Sequence, residues 1–66
     1  MKKNNKFLRV YLLNKNTGCV FCMTDRAELI NQREKEIEVV DVLVTGEVKR
    51  KIFNRELYEI SAIQAV

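Results

Sequence analysis

The sequence predicts a small, mostly β domain (class α+β) organised around a β-hairpin at residues 36–54. Residues 36–44 form the densest β-branched run of the chain, and Gly46 follows where the chain must reverse. Alternating apolar segments on either side are separated by turn-forming residues. The chain is 47% hydrophobic and 32% charged, which indicates a globular rather than a disordered protein. We therefore expect one domain over residues 1–66.

The first predicted element is a hairpin preceded by a polar arm. Residues 1–5 are polar, and we expect them to be a disordered arm. Residues 6–13 alternate in polarity, residues 14–18 are turn formers ending in Gly18, and residues 19–24 are predicted to be the second strand. A five-residue turn would place Tyr11 opposite Phe21 as a cross-strand aromatic pair.

Residues 25–35 predict a short helix between strands 2 and 3. Asp25 and Glu28 have the spacing of a capping box, in which the first residue caps the helix and the second reaches back to it. The residues that follow are rich in helix formers, although few of them are apolar.

The strand that follows the predicted helix is apolar on both faces, which indicates that it is buried on both sides. Asp41 interrupts this apolar run. Since an unpaired buried carboxylate is costly, we expect Asp41 to form an ion pair. Depending on the register at Thr45-Gly46, the partner would be Lys49, Arg50 or Lys51.

The last elements are predicted to be a single tight helical turn at residues 55–58 and a short strand at residues 60–66. This order of elements resembles the SH3-like small barrels, in topology only and without a shared sequence motif. The expected architecture is a five-stranded antiparallel sheet or an SH3-like small beta barrel, with one short helix between strands 2 and 3.

The chain length and the net charge limit the possible partners. A chain of 66 residues buries only about 60% of its unfolded surface, so we expect a homo-oligomer, most simply a homodimer. The net charge is +3, and residues 1–18 carry no acid.

No apolar stretch approaches transmembrane length and no signal-peptide cleavage site follows the basic start. We expect a cytoplasmic protein with no membrane partner.

Cys19 and Cys22 form a CxxC pair, which is half of a zinc site in a chain that has no histidine. Within a strand, two positions three residues apart point to opposite faces. We therefore expect reduced core cysteines, with no metal and no cofactor. Zinc shared between two CxxC pairs of a dimer is the alternative.

Catalytic residues are not evident in the sequence. Without histidine, acid–base chemistry would fall to a carboxylate, lysine or cysteine of altered pKa. Ser61 is the only serine and has no activating group near it in sequence, and both glycines are turn residues. We expect a non-enzymatic protein.

The basic strand after Gly46 is the main functional candidate. Alternation places Lys49, Lys51 and Phe53 on one face, and nucleic-acid binders combine cations for phosphates with aromatic rings for bases. The predicted nucleic-acid-binding residues are Lys49, Lys51, Phe53 and Arg55, with Lys3 and Lys6 from the arm. Basic residues on an edge strand also prevent aggregation, which is the structural alternative.

A protein partner is the second hypothesis. Tyr11, Phe21 and Met23 would form an apolar and aromatic surface on the first hairpin. The protein would then be a protein-binding accessory or inhibitor protein of a phage or mobile element. Under either hypothesis the chain is a small binding module or regulator.

Overall fold

The computed structural model describes residues 7–66, which form one five-stranded antiparallel sheet. The strands are β1 (Leu8–Asn14), β2 (Val20–Gln32), β3 (Glu36–Val42), β4 (Val48–Asn54) and β5 (Tyr58–Ala65), in the spatial order β4-β3-β2-β1-β5. The predicted mostly β, five-stranded antiparallel architecture is confirmed. The sheet is open, because β4 and β5 each pair on one side only, so the predicted closed barrel is not formed.

The predicted helix is wrong, because its residues continue strand β2. Ala27 is fully buried and pairs with Leu8 of β1 on one side and with Asp41 of β3 on the other. Burial and pairing on both sides outweigh the helix propensity of the local sequence. The Thr24 hydroxyl accepts a hydrogen bond from the Arg26 N–H at 3.0 Å, which satisfies the backbone where the strand is irregular.

Strand β2 changes partner along its length. Its first half pairs with β1, and its second half pairs with β3 from Ala27 to Gln32. The register with β3 shifts at Ala27–Leu29, and the register with β1 shifts at Thr24–Ala27 and at Cys22–Thr24. Such irregularities bend a strand and increase its twist, so one long strand can belong to two differently oriented parts of the sheet.

The register of the first hairpin differs from the expected one. The Asn14 N–H donates to the Cys19 carbonyl at 2.8 Å, and Gly18 has φ 76°, so the loop has four residues rather than five. Tyr11 consequently lies opposite Cys22, and Phe21 lies opposite Leu12. The predicted Tyr11–Phe21 pair is wrong.

The core lies on one face of the sheet. Its fully buried members are Val10, Leu12, Ala27, Ile37 and Val39. Tyr58 at the start of β5 packs 5.5 Å from Phe53 of β4 and 6.2 Å from Phe21 of β2, measured between ring centroids. These three rings border the core where the turn between β4 and β5 brings the two outer strands together.

Strand β3 is buried on both faces over Ile37 to Asp41, as its apolar run predicted. Val39 belongs to the core face, while Glu38 and Val40 are buried on the opposite face. Within residues 7–66, the structure has no helix that could cross a membrane.

Candidate nucleic-acid interface

Strand β4 is an outer strand of the sheet and presents Lys49, Arg50 and Lys51, all of them exposed. The β3–β4 turn sets the register, because the Leu43 N–H donates to the Glu47 carbonyl at 2.7 Å and Gly46 takes a φ of 94°. Lys49 is therefore paired with Asp41 and Lys51 with Val39, on the core side. Arg50 points to the other face.

The predicted ion pair of Asp41 is confirmed. Asp41 is only 4% exposed, and its Oδ2 lies 3.4 Å from the Lys51 Nζ. The partner is the diagonal neighbour on β4, two residues along from Lys49, which is directly opposite. Within residues 7–66, the buried Oδ1 of Asp41 has no hydrogen-bond partner.

Glu38 neutralises a second cation of the run. Its carboxylate accepts hydrogen bonds from the Arg33 Nη2 at 2.7 Å and from the Asn31 Nδ2 at 3.2 Å, and its Oε2 lies 2.8 Å from the Arg50 Nε. The hydrogen bonds from Arg33 and then Asn31 lower the pKa of Glu38, against desolvation, with smaller contributions from the charges of Arg33 and Arg50.

The role of Glu38 was missed from the sequence, although a signal was present. Glu38 lies in the same apolar run as Asp41 and shares a face with Val40, two residues away. It is 6% exposed, so it required partners for the same reason as Asp41.

The three cations therefore differ in availability. Lys49 forms no salt bridge with any residue in the described part of the chain. Arg50 is paired through Nε, but 72% of its side chain is exposed, so its terminal nitrogens face solvent. Lys51 is held by Asp41 and is 44% exposed.

Two other predicted nucleic-acid contacts have structural roles. Phe53 is partly buried and packs on the core beside Tyr58. The Arg55 Nη1 donates to the Arg33 carbonyl at 2.8 Å, and the Arg55 N–H donates to the Lys35 carbonyl at 3.0 Å, so this residue ties the end of β4 to the β2–β3 turn. The predicted contacts of Lys3 and Lys6 lie outside the described residues.

The structure does not bring Tyr11, Phe21 and Met23 together on one surface. Phe21 meets Tyr58 edge-on, and Met23 packs against the core at a register shift. Tyr11 lies on the face of the sheet opposite to that of the buried Leu12. Its neighbours on the adjacent strands are Cys22 and Ala62. The surface predicted for a protein partner is therefore divided between two faces.

Both cysteines are free and exposed, so their predicted core position is wrong. Cys22 is opposite Tyr11, away from the core, and Cys19 adjoins the Gly18 turn. Among residues 7–66, no three side chains of His, Cys, Asp or Glu are grouped to hold a metal ion.

An open groove lies between the end of β4 and the turns on either side of it. Its charged lining consists of Lys15, Lys35, Arg55, Glu34, Glu36 and Glu56. The three cations and three acids balance, which distinguishes this groove from the cationic surface of β4.

No protein-family model, curated protein or solved structure matches the chain.

Proposed function

We propose that the protein is a small, non-enzymatic binding module or regulator of the cytoplasm that contacts the phosphates of a nucleic acid through β4. One observation carries this proposal. Three consecutive cations are exposed on an outer strand, while the two acids that pair with them are buried on the neighbouring strand β3. The outermost charges of this surface are therefore positive, which favours a polyanion.

The state of each cation suggests how the contact would be made. Lys49 offers an unpaired ammonium group, and Arg50 offers the donors that Glu38 does not use. Lys51 would have to leave Asp41 before it could bind a phosphate. We expect few phosphate contacts and binding that depends strongly on salt and weakly on sequence, since phosphate contacts carry no sequence information.

The position of Phe53 narrows the proposal to the backbone of the nucleic acid. Its ring is engaged with Tyr58 and the core, so base stacking next to Lys51 is not expected. The structural alternative is that the three cations protect the edge of β4 from pairing with other strands.

Fluorescence anisotropy with single-stranded DNA, single-stranded RNA and duplex DNA at low salt tests the proposal. Lys49→Gln should weaken binding most, and loss of one phosphate contact should reduce the slope of log K against log salt by about 0.9 for duplex DNA. The matched control is Lys35→Gln, which removes the same charge from the balanced groove. Absence of binding to all three probes, or equal losses in both variants, would contradict the proposal.

A protein-binding accessory or inhibitor role is the second candidate. It is favoured by the exposure of Val20 (52%) and Phe21 (42%), two large apolar residues that are consecutive in the first hairpin and lie on opposite faces of it. The same assay separates the two candidates. If the chain does not bind nucleic acid at low salt, the first candidate is excluded and this hairpin remains as the candidate binding surface.

A further inference from the structure

Four stretches of strand edge have no strand partner within residues 7–66. Two are the outer edges of β4 and β5. The other two lie on β2: β3 pairs with β2 only from Ala27 to Gln32, so the first half of β2 pairs with β1 alone, and β1 pairs with β2 only as far as Ala27, so residues 28–32 pair with β3 alone. We call residues 19–24 the β2 edge. Its outward N–H and C=O groups are available to another extended chain.

The four edges differ in how they resist pairing. Residues 28–32 begin with Glu28 and adjoin Arg33. β4 carries Lys49, Arg50 and Lys51. β5 carries Glu59 and an extra residue at Ser61, where its register with β1 shifts. Charges and bulges of this kind discourage contact between strand edges.

The β2 edge has neither charge nor proline, and its register shift at Met23 leaves Val20, Phe21 and Cys22 in regular register with β1. Its sequence, CVFCMT, combines apolar character with residues that favour strands. Val20, Phe21 and both cysteines are exposed. A short, uncharged and apolar segment on a free edge is the type of segment that associates with a strand of its own kind.

We propose that the β2 edge pairs antiparallel with the β2 edge of a second copy, forming a two-fold symmetric dimer. Such an interface uses the same surface on both copies and must be self-complementary. The β2 edge meets this condition, because no charged residue of residues 19–24 would face its own copy. The same operation at β4 would bring the cations of both copies together, and like charges across a strand pair are destabilising.

The small core supplies an independent reason for a second copy. Only five buried residues form the hydrophobic cluster of the described chain, and a domain of this size is marginal without additional burial. Pairing at the β2 edge would cover Val20 and Phe21, which are among the large apolar side chains that the isolated chain leaves exposed.

The two-fold axis places Cys22 close to its own copy. With the axis at Cys22, the two residues are directly opposed. With the axis at Phe21, Cys22 faces Val20 of the partner, and the two Cys22 residues are diagonal neighbours about 7–8 Å apart. Both thiols are free, so a short bifunctional maleimide reagent reports on either arrangement.

Sedimentation of the full-length chain over a range of concentrations tests the proposal. The wild type should show a reversible monomer–dimer equilibrium. Val20→Lys should raise the dimer dissociation constant about tenfold or more, because it places like charges near the axis. Val44→Lys is the matched control, since Val44 is 87% exposed in the β3–β4 turn and away from the β2 edge, and it should dimerise as the wild type does.

Cross-linking supplies the second measurement. The reagent should join two copies in the Cys19→Ser variant, which retains Cys22, and Val20→Lys should abolish the product. If Val20→Lys fails to fold, Cys22→Lys replaces it in sedimentation, because Cys22 is also exposed. A monomer at every concentration, or a dimer that survives these lysine substitutions in a folded chain, would overturn the proposal. Nucleic-acid binding by a monomeric variant would leave the proposal for β4 intact.

Discussion

Substitution of Asp41 should increase the affinity of β4 for nucleic acid. Asp41→Asn removes the buried charge that holds Lys51 while keeping nearly the same side-chain shape. At the observed separation of 3.4 Å, two unit charges attract each other by about 1 kcal/mol in water. The water value applies because 44% of the Lys51 side chain is exposed.

Release of Lys51 should therefore tighten binding by up to about fivefold, which corresponds to this energy. One additional phosphate contact should also steepen the slope of log K against log salt by about 0.9 on duplex DNA. Fluorescence anisotropy at several salt concentrations measures both quantities. Circular dichroism establishes that the variant is folded.

Glu47→Gln is the matched control for the change in net charge. Glu47 is an exposed acid near the same hairpin turn, and it forms no salt bridge with the described residues. It should change affinity less than Asp41→Asn and leave the number of phosphate contacts unchanged. Unchanged or weaker binding by folded Asp41→Asn, or an equal gain from Glu47→Gln, would refute the reasoning.

Two further predictions concern stability. Leu12→Ala should lower the free energy of unfolding by about 2–5 kcal/mol, because Leu12 is fully buried. Val44→Ala in the exposed turn should change it by less than about 0.5 kcal/mol. Urea denaturation measures both values, and similar losses in the two variants would show that Leu12 is not part of the core. The pKa of Glu38 is lower in the folded protein than its unfolded value of about 4.3, so its contribution to stability is complete above that value and is lost as the pH falls through the folded pKa. Glu38→Gln should therefore reduce the loss of stability on acidification, measured by urea midpoints between neutral and acidic pH, and a wild-type slope in this variant would contradict the assignment.

The central hairpin could be predicted because its local and global signals agree. The β-branched run favours a strand, and Gly46 supplies the positive φ that the turn requires. A basic partner for Asp41 on β4 followed from the cost of burying a charge, which holds in each of the three registers considered. Which of the three cations it is did not follow, because the observed partner Lys51 is diagonal to Asp41. Strand propensity and the cost of burying a charge depend on few details of the fold.

The second half of β2 could not be predicted in the same way. Asp25 and Glu28 have the spacing of a helix cap, and no local signal shows that β1 and β3 will pair on both sides of Ala27. The register of the first hairpin depended on one residue of loop length, and this single shift moved Phe21 away from Tyr11. The same shift placed Cys22 opposite Tyr11, away from the core, where its side chain is exposed.

The candidate site was predictable as a stretch of sequence and less so as individual residues. The run Lys49 to Lys51 was identified, but the distinct states of its members depend on which acids of β3 lie next to them. Phe53 and Arg55 resemble binding residues by type, and their structural roles depend on Tyr58 and the β2–β3 turn, which are brought close only by folding.

The pairing of β1 with β5 has a consequence for how the chain folds. The other three strand pairs are hairpins between sequence neighbours, whereas β1 and β5 join the two ends of the described chain, with the Val66 N–H donating to the Phe7 carbonyl at 3.2 Å. Closing that long loop costs about 2 kcal/mol more entropy than closing the first hairpin. We therefore expect the four-strand meander to assemble first and β5 to dock last, so that a chain under synthesis completes its core only after residues 58–65 have been added.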